Sequence, residues 1–319
     1  PLTIDRTKPA IPFLGKPLVG YVAEYVAKFG FKDVVVNLHH QPESVKEALG
    51  SGDEYGVKIH YTEENPKILG TAGALDNARH LLEDDTFVIV NGKLITDIDI
   101  AEAVETHKKS GAIATMVLKP NVKREKFTEV YAKDGFLTGF GDFAHPFTQE
   151  EIKDTTGKLS APPLMFTGIH ILEPRVFEYI PRNVYSDIVP TFYNPALKKG
   201  EKIAVHITDA NWYELSTIPR YLDISLAMGA SVQAGNNCIV SGRATVRDSI
   251  MWDNVSIGDD AHLYRTIIAD DVKIKAGEHY ENAAIVRAEM VRNCEEIPEK
   301  ALKGYIQGEN YIVPLFEYI

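Results

Sequence analysis

From residue 17 the apolar positions keep a helical rhythm: Leu18, Val22, Val26 and Phe29 recur three or four residues apart, and Gly30 ends the run. Directly afterwards DVVVNL at 33–38 is an almost continuous apolar stretch, the composition of a strand covered on both faces. Continued along the chain, this alternation predicts helices over 42–49, 71–82 and 99–110, and strands over 57–61, 87–91 and 112–118. Apolar strands separated by helices predict an α/β domain on a mainly parallel, Rossmann-like sheet. Ligands of such sheets sit at the carboxyl ends of the strands, which directs attention to the loops after Leu38, Tyr61, Asn91 and Leu118. Residues 129–145 predict a hairpin turning at Asp134-Gly135. PLMFTGIHIL at 163–172 predicts a further strand, whose central glycine marks either a bulge or the close approach of a ligand or another backbone. Residues 174–229 read as mostly helical, with one strand near 203–207.

After Gly229 the rhythm changes. Val240, Val246, Met251, Ile257, Leu263, Ile268 and Ile274 follow one another at intervals of five or six, and every third one is 17 residues further on. Val240, Ile257 and Ile274 therefore fall in one column, and Met251, Ile268 and Ile285 in another. A triangular coil of short parallel strands stacks such columns into its core, the signature of a hexapeptide parallel β-helix. Gly242, Asn254, Gly258, Asp259, Asp260, Asp270, Asp271 and Gly277 supply its corners, and His262 falls at an outward one. About three coils make a short stack, which calls for a cap or a partner subunit. The chain divides on this reading into an α/β domain over 1–229 and a β-helix with its tail over 230–319.

The 319 residues are 45% apolar and 25% charged, enough to bury a sizeable core, and carry a formal net charge of −11 with dispersed cations. That balance argues against nucleic acid as a partner. No apolar run approaches the roughly 20 residues of a membrane span, and no charged-then-apolar leader opens the chain. Cys238 and Cys294 form no CxxC pair, so neither a zinc cluster nor a disulfide framework is indicated; a reducing cytoplasm fits. PLTIDRTKPAIPF begins at Pro1 in what reads as the middle of a loop; if the numbering starts inside a longer protein, a first strand and its loop are expected upstream.

LGTAGAL at 69–75 joins a glycine turn to the first turn of a helix, and backbone N–H groups left free there can meet a nucleobase, a sugar or a phosphate. With PLT and KPAIPFLGKPL near the start and the hexapeptide coil behind, the chain resembles the sugar-1-phosphate nucleotidyltransferases, or nucleotide-sugar pyrophosphorylases. FTGIH and the coil lean towards their mannose-1-phosphate guanylyltransferase branch. The resemblance implies a left-handed β-helix, a nucleoside triphosphate and a sugar 1-phosphate as substrates, and Mg²⁺ as cofactor. In that chemistry a sugar-phosphate oxygen attacks the α-phosphorus and pyrophosphate leaves, so catalysis consists of neutralising charge and holding the groups in line. Lys8 would face the triphosphate, although by itself it reads as a solvated loop lysine. Leu69, Gly70, Thr71, Ala72 and Gly73 would line the base and sugar pocket, Thr167 and Gly168 the sugar turn, and Asn91-Gly92 the turn ending the central strand. The β-helix is expected to assemble copies of the chain into a homo-oligomer.

Several positions depart from the family pattern. Lys93 stands where a metal-holding Asp is expected, and a cation cannot ligate Mg²⁺. In NWYELSTIP the second metal position carries Glu214, one methylene longer than Asp, with Ser216 in place of glycine. Phe143 replaces a sugar-phosphate-binding lysine, and the Gly-x-Gly-Thr-Arg triphosphate loop would precede Pro1. Two explanations stay open. In one, Asp97 and Asp99 supply a shifted metal site and Lys93 itself neutralises phosphate; in the other, the chain binds nucleotide or nucleotide-sugar as a regulatory subunit without turnover. Asp97 and Asp99 read equally as N-cap chemistry ahead of the 99–110 helix.

Overall fold

A computed structural model describes residues 1–144, 161–294 and 303–315. The helix α1 (Leu18–Lys28) starts after Pro17 and buries Leu18, Val19, Ala23, Tyr25 and Val26 on one face. Strand β1 (Asp33–Leu38) pairs in parallel with β2 (Lys58–Glu63), and α2 (Pro42–Leu49) lies between them in sequence. Next come α3 (Gly70–Asn77), a further helical turn at Arg79–Leu82, β3 (Phe87–Val90) and β4 (Leu94–Thr96). Helix α4 (Ile100–Ser110) is capped by the Asp99 carboxylate, which accepts from the Glu102 N–H at 3.1 Å. It leads into β5 (Ala114–Pro120), whose first five residues are all buried.

The hairpin of β6 (Thr128–Lys133) and β7 (Phe136–Phe143) turns at Asp134 and Gly135, both with positive φ. Its predicted end at His145 lies outside the described residues. Strands β8 (Leu164–Leu172), β9 (Ile203–Ile207) and β10 (Trp212–Glu214) precede helix α5 (Ile218–Met228), where the Thr217 hydroxyl accepts from the Arg220 N–H.

The expected mainly parallel sheet is instead mixed. Six strands run in the order β3-β8-β5-β9-β7-β6, and only β5 and β9 are parallel neighbours. Strand β8 lies between β3 and β5, antiparallel to both. Parallel neighbours need a crossover that returns the chain to the same end of the sheet, and β8 is entered after a hairpin instead. Strands β1 and β2 form their own two-stranded sheet. Val34 and Val36 of β1 and Val88 and Val90 of β3 nonetheless border one core with Val19, Tyr25, Ile98 and Ile169. The opposite face of the sheet buries Met116, Leu118, Phe192 and Tyr193.

The C-terminal coils follow the 17-residue columns read from the sequence. Val240 pairs with Ile257 and Ile257 with Ile274, while Met251 pairs with Ile268 and Ile268 with Ile285, all in parallel register. Asn237, Asn254 and Asp271 occupy one corner in the left-handed conformation, with Asn237 donating to Asn254 at 3.2 Å and Asn254 to Asp271 at 3.0 Å. These residue types suit both demands, since they tolerate positive φ and carry short polar side chains. His262, expected at a corner, is instead the exposed first residue of the strand His262–Ile268, and its ring lies 4.5 Å from that of His279 in the next coil. After the last parallel strand, His279–Arg287, the strand Asn310–Pro314 pairs antiparallel with it, and Tyr305–Gln307 pairs outside that.

The chain's first residues seal the junction between the two regions. Leu2, Ile11 and Phe13 pack with Tyr221 and Leu222 of α5 and with Trp252, Ile267 and Val286 of the coils. The Trp252 indole donates to the Tyr221 hydroxyl at 3.1 Å, which donates to the Pro12 carbonyl at 2.6 Å. Beside them Arg6 Nη2 lies 2.5 Å from Asp270 Oδ2, with its guanidinium 4.9 Å from the centre of the Trp252 ring.

Candidate functional site

Several segments meet at the carboxyl end of β3. Gly168 interrupts β8 at φ +80°, and the register against β5 slips there: Phe166 faces Leu118 but His170 faces Met116. The glycine thus marks a bulge, and it also marks a close approach. The Asn91 N–H donates to the Gly168 carbonyl at 3.1 Å, and the Asn91 side chain fills the space a Cβ on Gly168 would need. Gly92, next along, has no such constraint, because a Cβ there would meet Pro9 only at an ordinary 3.5 Å. The Lys8-Pro9 loop therefore packs beside the Asn91-Gly92-Lys93 turn.

The third element is β10, which pairs antiparallel with β4 so that Glu214 faces Leu94. That register sets Glu214 beside Lys93, and the two side chains form an ion pair. The lysine side chain is 31% exposed and the glutamate 12%, so the ammonium is the member that reaches solvent. Exposed Lys8 donates from its Nζ to the Ser216 carbonyl at 2.8 Å, on the same segment. Two cations predicted from separate motifs are thus anchored two residues apart on one strand end.

Several predicted residues serve other purposes. The Thr167 side chain is fully buried, and its hydroxyl donates to the Val117 carbonyl at 2.8 Å. Its carbonyl accepts from the Trp212 indole at 2.8 Å, which fixes Trp212 as packing. Asp97 holds Asn211 with both oxygens, accepting from its N–H and from Nδ2 at 2.7 Å each. Asp99 is the α4 cap. Phe143 is exposed, and the Lys126 ammonium lies 5.6 Å from its ring centre.

The expectation of free N–H groups in the 69–73 segment is overturned at Leu69, Thr71, Ala72 and Gly73. Leu69 N donates to Glu64 Oε2 at 2.5 Å, Thr71 N to Asp187 Oδ1 at 3.3 Å, and Ala72 N and Gly73 N both to the Ser186 carbonyl. The glycines here answer to packing: Gly70 holds φ +76° with Ser186 O 2.7 Å from where a Cβ would lie, and a Cβ on Gly73 would meet Leu69 Cβ at 2.7 Å. These contacts hold the segment against residues 184–188.

A polar network missed at the sequence level ends β1 and β2. Asn37 donates to Glu64 Oε1 and accepts from Thr62 and from Asn77, and Glu64 is buried. Its only sequence signal was its place at a carboxyl-end loop.

A divalent ion does not fit the carboxylates assigned to it. Mg²⁺ demands oxygen donors in near-octahedral array. Here one expected donor is an ammonium already seated on the other, and Asp97 and Asp99 are committed to Asn211 and to the α4 N-terminus. Among the described residues no group of three or more His, Cys, Asp or Glu side chains is placed to hold a metal.

A family profile described as nucleotidyl transferase matches residues 1–231, and one described as GlmU-like, C-terminal hexapeptide matches 225–300. The UTP–glucose-1-phosphate uridylyltransferase of Synechocystis sp. is 28% identical over 296 residues, 86% of this chain and 73% of that protein. The mannose-1-phosphate guanyltransferase of Yarrowia lipolytica is 31% identical over 218 residues, 67% of this chain but only 56% of that protein. The mannose-1-phosphate guanylyltransferase of Mycobacterium tuberculosis is 23% identical over 293 residues, 87% of this chain and 78% of its own length. Among solved structures, HddC from Yersinia pseudotuberculosis superposes with a TM-score of 0.57 at 18% identity, covering 70% of this chain and 91% of that one, a likeness of fold.

Proposed function

This chain belongs to the nucleotidyl transferase family, and on that premise we propose that it is a sugar-1-phosphate nucleotidyltransferase of the mannose-1-phosphate guanylyltransferase kind. The observation that carries the reading is the meeting of Lys8, Asn91-Gly92-Lys93, Gly168 and Glu214 at the carboxyl end of β3. Two ammonium groups beside a glycine turn suit a pair of anionic reactants. A phosphate oxygen of the sugar 1-phosphate forms a bond to the α-phosphorus of the nucleoside triphosphate, the bond from that phosphorus to the β-phosphate bridge breaks, and pyrophosphate carries the electron pair away.

In this reading Lys8 and Lys93 neutralise phosphate oxygens, and Asn91, Gly92 and Gly168 shape the sugar side. Residues 69–73, braced by Glu64, Ser186 and Asp187, form a rigid wall of the base pocket. Thr167 acts through Trp212 and Val117, as a positioning residue. Mg²⁺ is the expected cofactor of the family's chemistry, and none of the carboxylates Glu214, Asp97 or Asp99 is given the role of holding it, since each is engaged elsewhere. The relatives are named as transferases, which favours turnover over a purely regulatory binding role.

The same reading places the α/β unit at 1–229 and a left-handed β-helix at 230–319, with homo-oligomers formed through the coils. The exposed apolar residues Ile239 and Val240 on the first coil support that assembly. The reading sets the protein in the cytoplasm, which Cys238 and Cys294, with no CxxC pair between them, support; no helix among the described residues is long and apolar enough to cross a membrane. Incubation with each nucleoside triphosphate and a panel of sugar 1-phosphates, following pyrophosphate, tests the proposal; GTP with mannose 1-phosphate is the expected best pair. Silence from every pair would overturn it.

A further inference from the structure

Lys93 and Glu214 keep the electrical balance of a metal site without the metal. A divalent cation between two carboxylates sums to zero charge, and so does one ammonium on one carboxylate. The exchange also changes which partner faces outward. Glu214 is mostly covered and Lys93 reaches solvent, so the site presents a positive tip on an anchored base. The pairing is not the chance meeting of two flexible surface side chains. The β4–β10 register fixes both backbones, since Glu214 lies opposite Leu94 and the Leu215 N–H donates to the Lys93 carbonyl at 3.2 Å. Arg220 Nε donates to the Glu214 carbonyl at 2.7 Å and holds the strand end from the other side. The nearby carboxylates have other work: both oxygens of Asp97 bind Asn211, and Asp99 caps α4.

We infer that Lys93 is the site's resident cation, pairing directly with a phosphate of a bound nucleoside diphosphate sugar, so that this ligand class binds with no divalent metal held by the protein. The inference rests on the nucleotidyltransferase reading of the same site. Glu214 is then a positioning residue that aims the ammonium, and an ammonium differs from Mg²⁺ in donating hydrogen bonds instead of demanding an oxygen cage.

The test is calorimetric titration of the full chain with GDP-mannose in EDTA and, separately, in excess Mg²⁺. The expected result is affinity equal within about twofold in the two buffers. Removing a charge-assisted contact by Lys93→Gln should weaken binding about tenfold to a hundredfold in both. Lys93→Asp should bind poorly in EDTA and recover in Mg²⁺. Mn²⁺ followed by electron paramagnetic resonance in the presence of GDP-mannose should show a protein-bound ion for Lys93→Asp and none at this site for the wild-type chain. Glu214→Gln removes only the anchor and should weaken binding less than Lys93→Gln, and circular dichroism confirms that each variant is folded. A wild-type affinity that collapses in EDTA and returns with Mg²⁺ overturns the inference while leaving the functional reading intact. Absence of GDP-mannose binding in both buffers, together with silence in the pyrophosphate assay, overturns the functional reading and the inference with it.

Discussion

The Asn91 side chain occupies the space beside Gly168 that any Cβ would need, and Gly168 itself sits at φ +80°. A single substitution therefore meets two penalties, a left-handed backbone and a steric overlap. Gly168→Ala is expected to cost about 2–4 kcal/mol in urea unfolding. It should also displace the Asn91–Lys93 turn and weaken GDP-mannose binding, whereas Gly92→Ala, with only a 3.5 Å contact to Pro9, should leave stability nearly unchanged.

Asp187 bridges residues far apart in sequence by accepting from both the N–H and the hydroxyl of Thr71 at 3.3 Å. Asp187→Ala strips two acceptor contacts from the 69–73 segment and should cost about 1–2 kcal/mol. Hydrogen exchange should accelerate at Thr71, Ala72 and Gly73 well before it changes in the β-helix.

His170 is buried against Tyr193, with its Nδ1 2.6 Å from the tyrosine hydroxyl, and burial pushes its pKa down to about 3. The unfolded chain takes up this proton near pH 6.5 and the folded chain does not, so below that pH the unfolded state binds more protons. Stability from this residue is complete above about pH 6.5 and is lost as pH falls towards 3, at up to about 1.4 kcal/mol per pH unit. Urea titrations between neutral and mildly acid pH should show that slope, and His170→Phe should flatten it. An imidazole NMR signal from His170 that reports a cation at pH 5 would contradict the expectation.

Ile268 is fully buried at the middle of its column, between Met251 and Ile285. Ile268→Ala should cost about 2–5 kcal/mol. Ile239→Ala, on the exposed face of the first coil, should stay within about 0.5 kcal/mol in the same denaturation measurement.

Arg6 joins the N-terminal segment to the coils through Asp270 and Trp252. Arg6→Ala should cost about 1–3 kcal/mol by removing a charge-assisted hydrogen bond and a cation–π contact. Limited proteolysis should then cut first between residues 1 and 17.

The coils were legible in the sequence because a 17-residue repeat states its own pairing: each apolar residue meets its counterpart one turn later. Helices α1, α2 and α4 were legible for a similar local reason, their buried faces and caps lying within a few residues of one another. Strand direction was not, because an apolar run such as that of β8 reads the same whichever way it enters the sheet. The β4–β10 pair also escaped, since each strand has three residues and its partner lies more than a hundred positions away. At the site, the departure at Lys93 was visible in the sequence but its partnership with Glu214 was not; that contact exists only once the two short strands pair. The busy N–H groups of 69–73 were hidden in the same way, their acceptors at 186 and 187 being distant in sequence.

The reversed strand Asn310–Pro314, laid against the last parallel strand, makes the solenoid one-sided. Another chain's coil cannot continue the parallel stack across it, while the first coil, with Ile239 and Val240 uncovered, remains available. Head-to-tail growth into filaments needs two compatible ends. With one end blunted, the coil stack keeps a single face open to further parallel strands, and filament growth through both ends is closed to it.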